Sequence, residues 1–77
     1  MPPRLPVLRP REVVAALLRA GFYIDHQTGS HARLLHRTRS DLHVTVPIHN
    51  KDVPPTLLKQ RILRQAGLTP EEFLKLL

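Results

Sequence analysis

Apolar positions change period twice along the chain. Val13, Val14, Leu17 and Leu18 fall at i, i+1, i+4 and i+5 and make one helical stripe. Ala15, Ala16 and Ala20 raise the helix propensity of the same stretch. Pro10 suits a first helical turn, and Gly21 suits a left-handed cap, so the spacing predicts a helix over 10–20. The period then drops to two. Phe22 and Ile24 alternate with Tyr23 and Asp25 and predict a short strand, 22–27, ended by a tight turn at Thr28-Gly29. A second strand follows over 30–37, then the polar turn "TRSD" at 38–41. Leu42, Val44 and Val46 alternate with His43 and Thr45 as a third, half-buried strand. Pro47 stops it and marks an edge position. After a loop with adjacent prolines the helical period returns over 55–66. Leu58, Ile62 and Ala66 share one face with Leu63 beside them, and Gly67 caps the helix. "TPEE" at 69–72 opens a short third helix, with Thr69 as N-cap, Pro70 first inside and Glu72 closing a capping box.

The order α-β-β-β-α-α implies an α+β fold: helices on one face of a three-stranded antiparallel meander. Leu17, Leu18, Phe22, Ile24, Val44, Val46, Leu58 and Ile62 are the expected core. One point stays open. Regular hairpins place Arg33 on the same face as Phe22 and Ile24, which a small core does not tolerate. A bulge or slip in the second strand turns Ala32 and Leu34 inward instead. The pattern therefore leaves the face of His31 undecided. Residues 1–9 read as a Pro/Arg-rich extended tail and 10–77 as a single domain. The opening residues lack the apolar run of a signal peptide, and no stretch reaches the ~20 apolar residues of a membrane span.

Charge narrows the function. Twelve Lys and Arg stand against six Asp and Glu, a net +6, and a domain this basic meets nucleic acid or an acidic protein. With no cysteine there is no disulfide scaffold, thiolate zinc site or thiol catalysis, which fits the cytoplasm. Only three aromatic residues are present, too few for base-stacking platforms, so phosphate contact and shape readout remain. The cations for that contact are Arg33, Arg37, Lys51, Lys59, Arg61 and Arg64. Five histidines are scattered without metal-ligand spacing, although His36 and His43 can face each other across the second hairpin. No metal and no cofactor is expected. His31 differs, because it follows a Gly-Ser turn at the mouth of a strand. There an imidazole has open access and can exchange a proton near neutral pH. The alternative is an ordinary exposed or structural histidine, and composition does not choose between them.

Four segments then resemble one family in the right order: "AGF" at 20–22, "GSH" at 29–31, "VTVPIHNKD" at 44–52 and "TLLKQRILRQAGLTPEEF" at 56–73. The chain resembles the HicA toxins of toxin–antitoxin pairs. The resemblance implies a double-stranded-RNA-binding-domain-like fold and an mRNA interferase neutralised by a HicB-type antitoxin. It implies that His31, the histidine of the G-S-H motif, is catalytic, and His49 stands at a recurrent family position; Ser30 and His49 are the candidates for site support. The departures are a longer proline-rich lead, Pro55 where a glycine commonly stands, and "ARLL" after His31. Without metal or thiol, the expected route is attack of the RNA 2′-hydroxyl on its own phosphorus, assisted by His31 and a nearby cation. A non-catalytic RNA-binding module and a basic protein-interaction domain are the competing readings.

Overall fold

The computed structural model describes residues 4–49 and 51–77. The first three residues of the expected tail lie outside them. Helix α1 (Pro10–Arg19) leads into strands β1 (Phe22–Thr28), β2 (His31–His36) and β3 (His43–Pro47), then helix α2 (55–66) and short helix α3 (Pro70–Leu74). The strands form one antiparallel sheet in the order β1-β2-β3. Helices α1 and α2 pack on one face of it. This is the α-β-β-β-α arrangement of the double-stranded-RNA-binding fold, with the extra C-terminal helix.

The chain signals act where expected. Gly21 (φ +98°) and Gly67 (φ +69°) end α1 and α2 in left-handed backbone. The Thr69 hydroxyl accepts from the Glu72 backbone N–H at 3.1 Å, and the Glu72 carboxylate accepts from Thr69 N–H at 2.9 Å. That completes the capping box of α3. Inside α2 the turn Leu58–Ile62 is π-helical. Leu58, Ile62, Leu63 and Ala66 form the buried side of α2.

The core contains Leu17, Phe22, Val44, Val46, Leu58 and Ile62, as expected, together with Val13, Ala32, Leu34, Leu63 and Phe73. Leu18 and Ile24 are not part of it; each is 45% exposed. The buried stripe of α1 runs through Pro10, Val13, Ala16 and Leu17, which leaves Leu18 on its flank. Ile24 sits on an edge strand, at a point the helix layer leaves half open.

The pairing of the strands settles which way Arg33 points. Phe22 pairs with His36, Tyr23 with Leu35 and Ile24 with Leu34, but His26 pairs with Arg33. Asp25 is therefore an extra residue, and the bulge lies in β1 rather than in the second strand. It lets Phe22, Ala32 and Leu34 point to the helices while Arg33 points away. His36 and His43 do not face each other. His43 pairs with Leu35, and His36 lies on the helix side against Phe22, ring centroids 4.9 Å apart, edge to face.

His36 has a structural role there. Its Nε2 lies 3.0 Å from the Ala20 carbonyl, and its Nδ1 accepts from the backbone N–H groups of Thr38 (3.2 Å) and Arg39 (3.1 Å). A carbonyl only accepts and an amide only donates, so Nε2 carries the hydrogen. The ring ties the end of α1 to the β2–β3 turn. The chain before α1 is tied down as well. Leu8 is buried and bridges Val53 in antiparallel fashion, with Val53 N–H donating to the Leu8 carbonyl at 2.7 Å.

Candidate active site

The helices leave one face of the sheet open. Along β2 the side chains alternate, with Ala32 and Leu34 buried and His31 and Arg33 exposed. Directly paired residues share a face. Three cross-strand rows follow on the open side: Thr28–His31–Pro47, His26–Arg33–Thr45 and Tyr23–Leu35–His43. His31 thus lies at the rim, beside the two-residue turn formed by Gly29 and Ser30. The Ser30 hydroxyl stands 3.0 Å from His31 Nδ1. The Ser30 carbonyl accepts from Ile48 N–H at 2.7 Å, which pins the turn to the chain leaving β3. With Nδ1 engaged, Nε2 is the nitrogen of His31 left to meet a ligand.

The expected cations divide between two sides of the molecule. Arg33 occupies the centre of the open face, two residues from His31. Arg37 follows β2 and lies over the Tyr23 ring, 5.6 Å from its centroid. This cation–π contact holds the guanidinium at the far end of the same face. Lys59, Arg61 and Arg64 belong to α2, on the opposite side of the sheet. Lys59 and Arg64 border a groove with Gln60, Leu63, Leu68, Thr69 and Pro70. Arg61 lies one turn before Gln65, whose side-chain oxygen accepts from Thr45 N–H at 3.1 Å on the outer edge of β3. Lys51 is exposed beyond β3, and its backbone N–H donates to His49 Nδ1 at 3.3 Å. His49 lines a cleft with Arg9, Pro10, Arg11 and Ile48 at the start of α1. No described hydrogen bond joins it to His31.

Among the described residues two ion pairs occur, Arg9–Asp52 at 3.6 Å and Arg39–Asp41 at 3.1 Å, both exposed. The Arg39 contact raises the arginine pKa above its ordinary value and holds the Asp41 carboxyl below its own, chiefly through their hydrogen bonds. Arg39 is thus engaged within the chain, whereas Arg33, Arg37, Lys51, Lys59, Arg61 and Arg64 stand outside both pairs. No group of three or more His, Asp or Glu side chains converges as a metal site among the described residues. No described helix is long and apolar enough to cross a membrane.

His26 is the open-face histidine that periodicity misses. Regular alternation groups it with Phe22 and Ile24, and only the extra residue at Asp25 carries it to the open face beside Arg33.

A family model described as HicA toxin of bacterial toxin-antitoxin matches residues 10–68. No curated protein matches the chain. The match spans well over half of the sequence, and the chain belongs to that family: a toxin whose counterpart is an antitoxin.

Proposed function

Taking this HicA-family chain as the toxin of its pair, we propose that it is an mRNA interferase working in the cytoplasm. It is an endoribonuclease that cleaves by metal-independent acid–base chemistry at His31 and is neutralised by a HicB-type antitoxin. The observation that carries this reading is the setting of His31. The ring is exposed at the rim of the helix-free sheet face, its Nδ1 is engaged by Ser30 at 3.0 Å, and Arg33 stands two residues away on the same strand face.

Those parts match the needs of intramolecular transfer. His31 takes the proton of the RNA 2′-hydroxyl, and the 2′-oxygen attacks the adjacent phosphorus. The phosphorus–5′-oxygen bond breaks and the departing 5′-oxygen takes a proton from a general acid or water, leaving a 2′,3′-cyclic phosphate and a 5′-hydroxyl. Arg33 supplies positive charge where the phosphorane oxygens gain negative charge. Ser30 orients the imidazole. Lys51, Arg37 and the α2 cations Lys59, Arg61 and Arg64 add long-range attraction for the RNA backbone. His49, beside Arg9 and Arg11, belongs to the RNA-binding periphery in this reading. Residues 10–77 act as one domain, and the lead segment is fastened to it through Leu8.

The test is His31→Gln in the full chain. Glutamine keeps size and hydrogen bonding but transfers no proton. RNA affinity should stay near wild type while cleavage falls at least ~100-fold, the range general acid–base catalysis supplies. Undiminished cleavage would remove His31 from the reaction. A wild-type chain that binds RNA and never cuts it would turn the reading into a binding module.

A further inference from the structure

We propose that His26 is the second proton-transfer group of this site, donating to the leaving 5′-oxygen while His31 serves as the base and Arg33 holds the phosphate between them. The assignment rests on the nuclease reading above. It starts from a deficit in that reading, since transfer of a proton from the 2′-oxygen to the 5′-oxygen is served best by two groups, one on each side of phosphorus. His31 supplies one.

Three other side chains of the open face are candidates by chemistry: His26, His43 and Tyr23. Register decides among them. His43 pairs with Leu35, four residues along β2 from His31. At 3.2–3.4 Å per residue that is roughly 13 Å along the strand, with a further strand to cross. Tyr23 pairs with the same Leu35, equally far along, and its ring lies under Arg37. His26 pairs with Arg33, only one row from His31 and one strand across. Diagonal neighbours of this kind stand about 7–8 Å apart. An in-line displacement with a hydrogen bond at each apical oxygen asks for two nitrogens about 7–9 Å apart. From backbone positions that close, both rings can turn toward one phosphate, a placement the register denies to His43 and Tyr23. Arg33 is the direct cross-strand partner of His26 and an i+2 neighbour of His31, so its long side chain starts beside both histidines, where a guanidinium can take the non-bridging oxygens.

The bulge makes the constellation. Without the extra residue at Asp25, His26 falls on the helix side, and His31 and Arg33 stand alone. Bulges beside active sites commonly re-aim one side chain in this way. Both histidines are exposed, so neither has a packing role that accounts for its position.

The step balances. Neutral His31 accepts the 2′-hydroxyl proton as the 2′-oxygen–phosphorus bond forms. Protonated His26 gives its proton to the 5′-oxygen as the phosphorus–5′-oxygen bond breaks. Each ring ends in the other's starting state, and water resets both.

A substrate with sulfur in place of the 5′-bridging oxygen separates the two roles, because a thiolate leaves without a proton. The purified full chain is given two oligonucleotides of one sequence, ordinary and sulfur-bridged at the bond the wild type cuts. His26→Gln should slow cleavage of the ordinary substrate by about 100-fold. On the sulfur-bridged substrate it should return to within about threefold of wild type, since the step it served is no longer needed. His31→Gln should be slow on both. The thermal midpoint and RNA affinity of His26→Gln should match wild type. If His26→Gln cuts ordinary RNA at the wild-type rate, or is equally slow on both substrates, the assignment is wrong while the role of His31 stands. A wild-type chain that cuts neither substrate overturns the nuclease reading and this assignment with it.

Discussion

Gly21→Ala tests how α1 is joined to the sheet. Gly21 has φ +98°, and a Cβ built there falls 2.8 Å from His36 Nε2, closer than real Cβ atoms approach. Two costs follow. An L residue in left-handed backbone costs about 1–2 kcal/mol. The His36 ring must also move from a position held by the Ala20 carbonyl at 3.0 Å and by the Thr38 and Arg39 amides at 3.2 and 3.1 Å. Each neutral hydrogen bond broken there costs about 0.5–1.5 kcal/mol. Together the substitution should destabilise by about 2–4 kcal/mol, out of the 5–15 kcal/mol typical of a domain. At about 4–8 °C per kcal/mol for a chain of this size, the thermal midpoint falls by roughly 8–32 °C. The chain has no tryptophan, so urea unfolding followed by far-ultraviolet circular dichroism is the suitable assay. The double variant with His36→Ala isolates the clash, because removing the ring leaves only the backbone strain. The pair should therefore be less than additive, by about 1–2 kcal/mol. Additivity within about 0.5 kcal/mol would refute the reasoning and leave the φ angle as the sole reason for glycine.

Leu58→Ala removes a fully buried side chain from the π turn of α2 and should cost about 2–5 kcal/mol, read as a lower urea midpoint at unchanged slope. Reversing Lys59, Arg61 and Arg64 together should weaken RNA binding and flatten its salt dependence by about 0.7 for each single-strand phosphate that the chain no longer neutralises. The cleavage rate at saturating RNA should hold, because these cations lie across the sheet from His31; a fall in that rate would tie α2 to the reacting phosphate. Thr69→Ala should fray α3 at a cost of about 0.5–2 kcal/mol, seen as faster amide exchange at Phe73 and Leu74. The Glu72 carboxyl is held below its ordinary pKa, chiefly by the Thr69 backbone N–H. Its folded value is the lower one, so its support for α3 is complete above the ordinary carboxylate range and is lost as pH falls through the depressed value. Glu72→Gln should erase that acid-side loss of α3 protection, and an unchanged acid profile would show that another group controls it.

Local chemistry determined the element order and the caps. Gly21, Gly67, Thr69, Pro70 and Glu72 signal within a turn or two of their own position, so the pattern places the helix ends and the α3 capping box without knowledge of the fold. The G-S-H turn marked His31 for the same reason. What only the tertiary structure decided depends on pairing between distant segments. The bulge at Asp25 has no local signature. It arises because Phe22 must face the helices together with Ala32 and Leu34 while Arg33 must not, and one extra residue reconciles the two strands. A single-residue shift in a strand exchanges its faces. That one residue therefore settles where Arg33 points and carries His26 to the open face. The same dependence explains the exposure of Leu18 and Ile24, which are apolar in pattern but lie beyond the reach of the layer that covers their neighbours. It explains Leu8, whose burial comes from a bridge to Val53 far along the chain. It also explains the separation of the basic residues. Composition counts them as one excess of charge, and the sheet divides them between its open face, around Arg33, and the helix side, on α2.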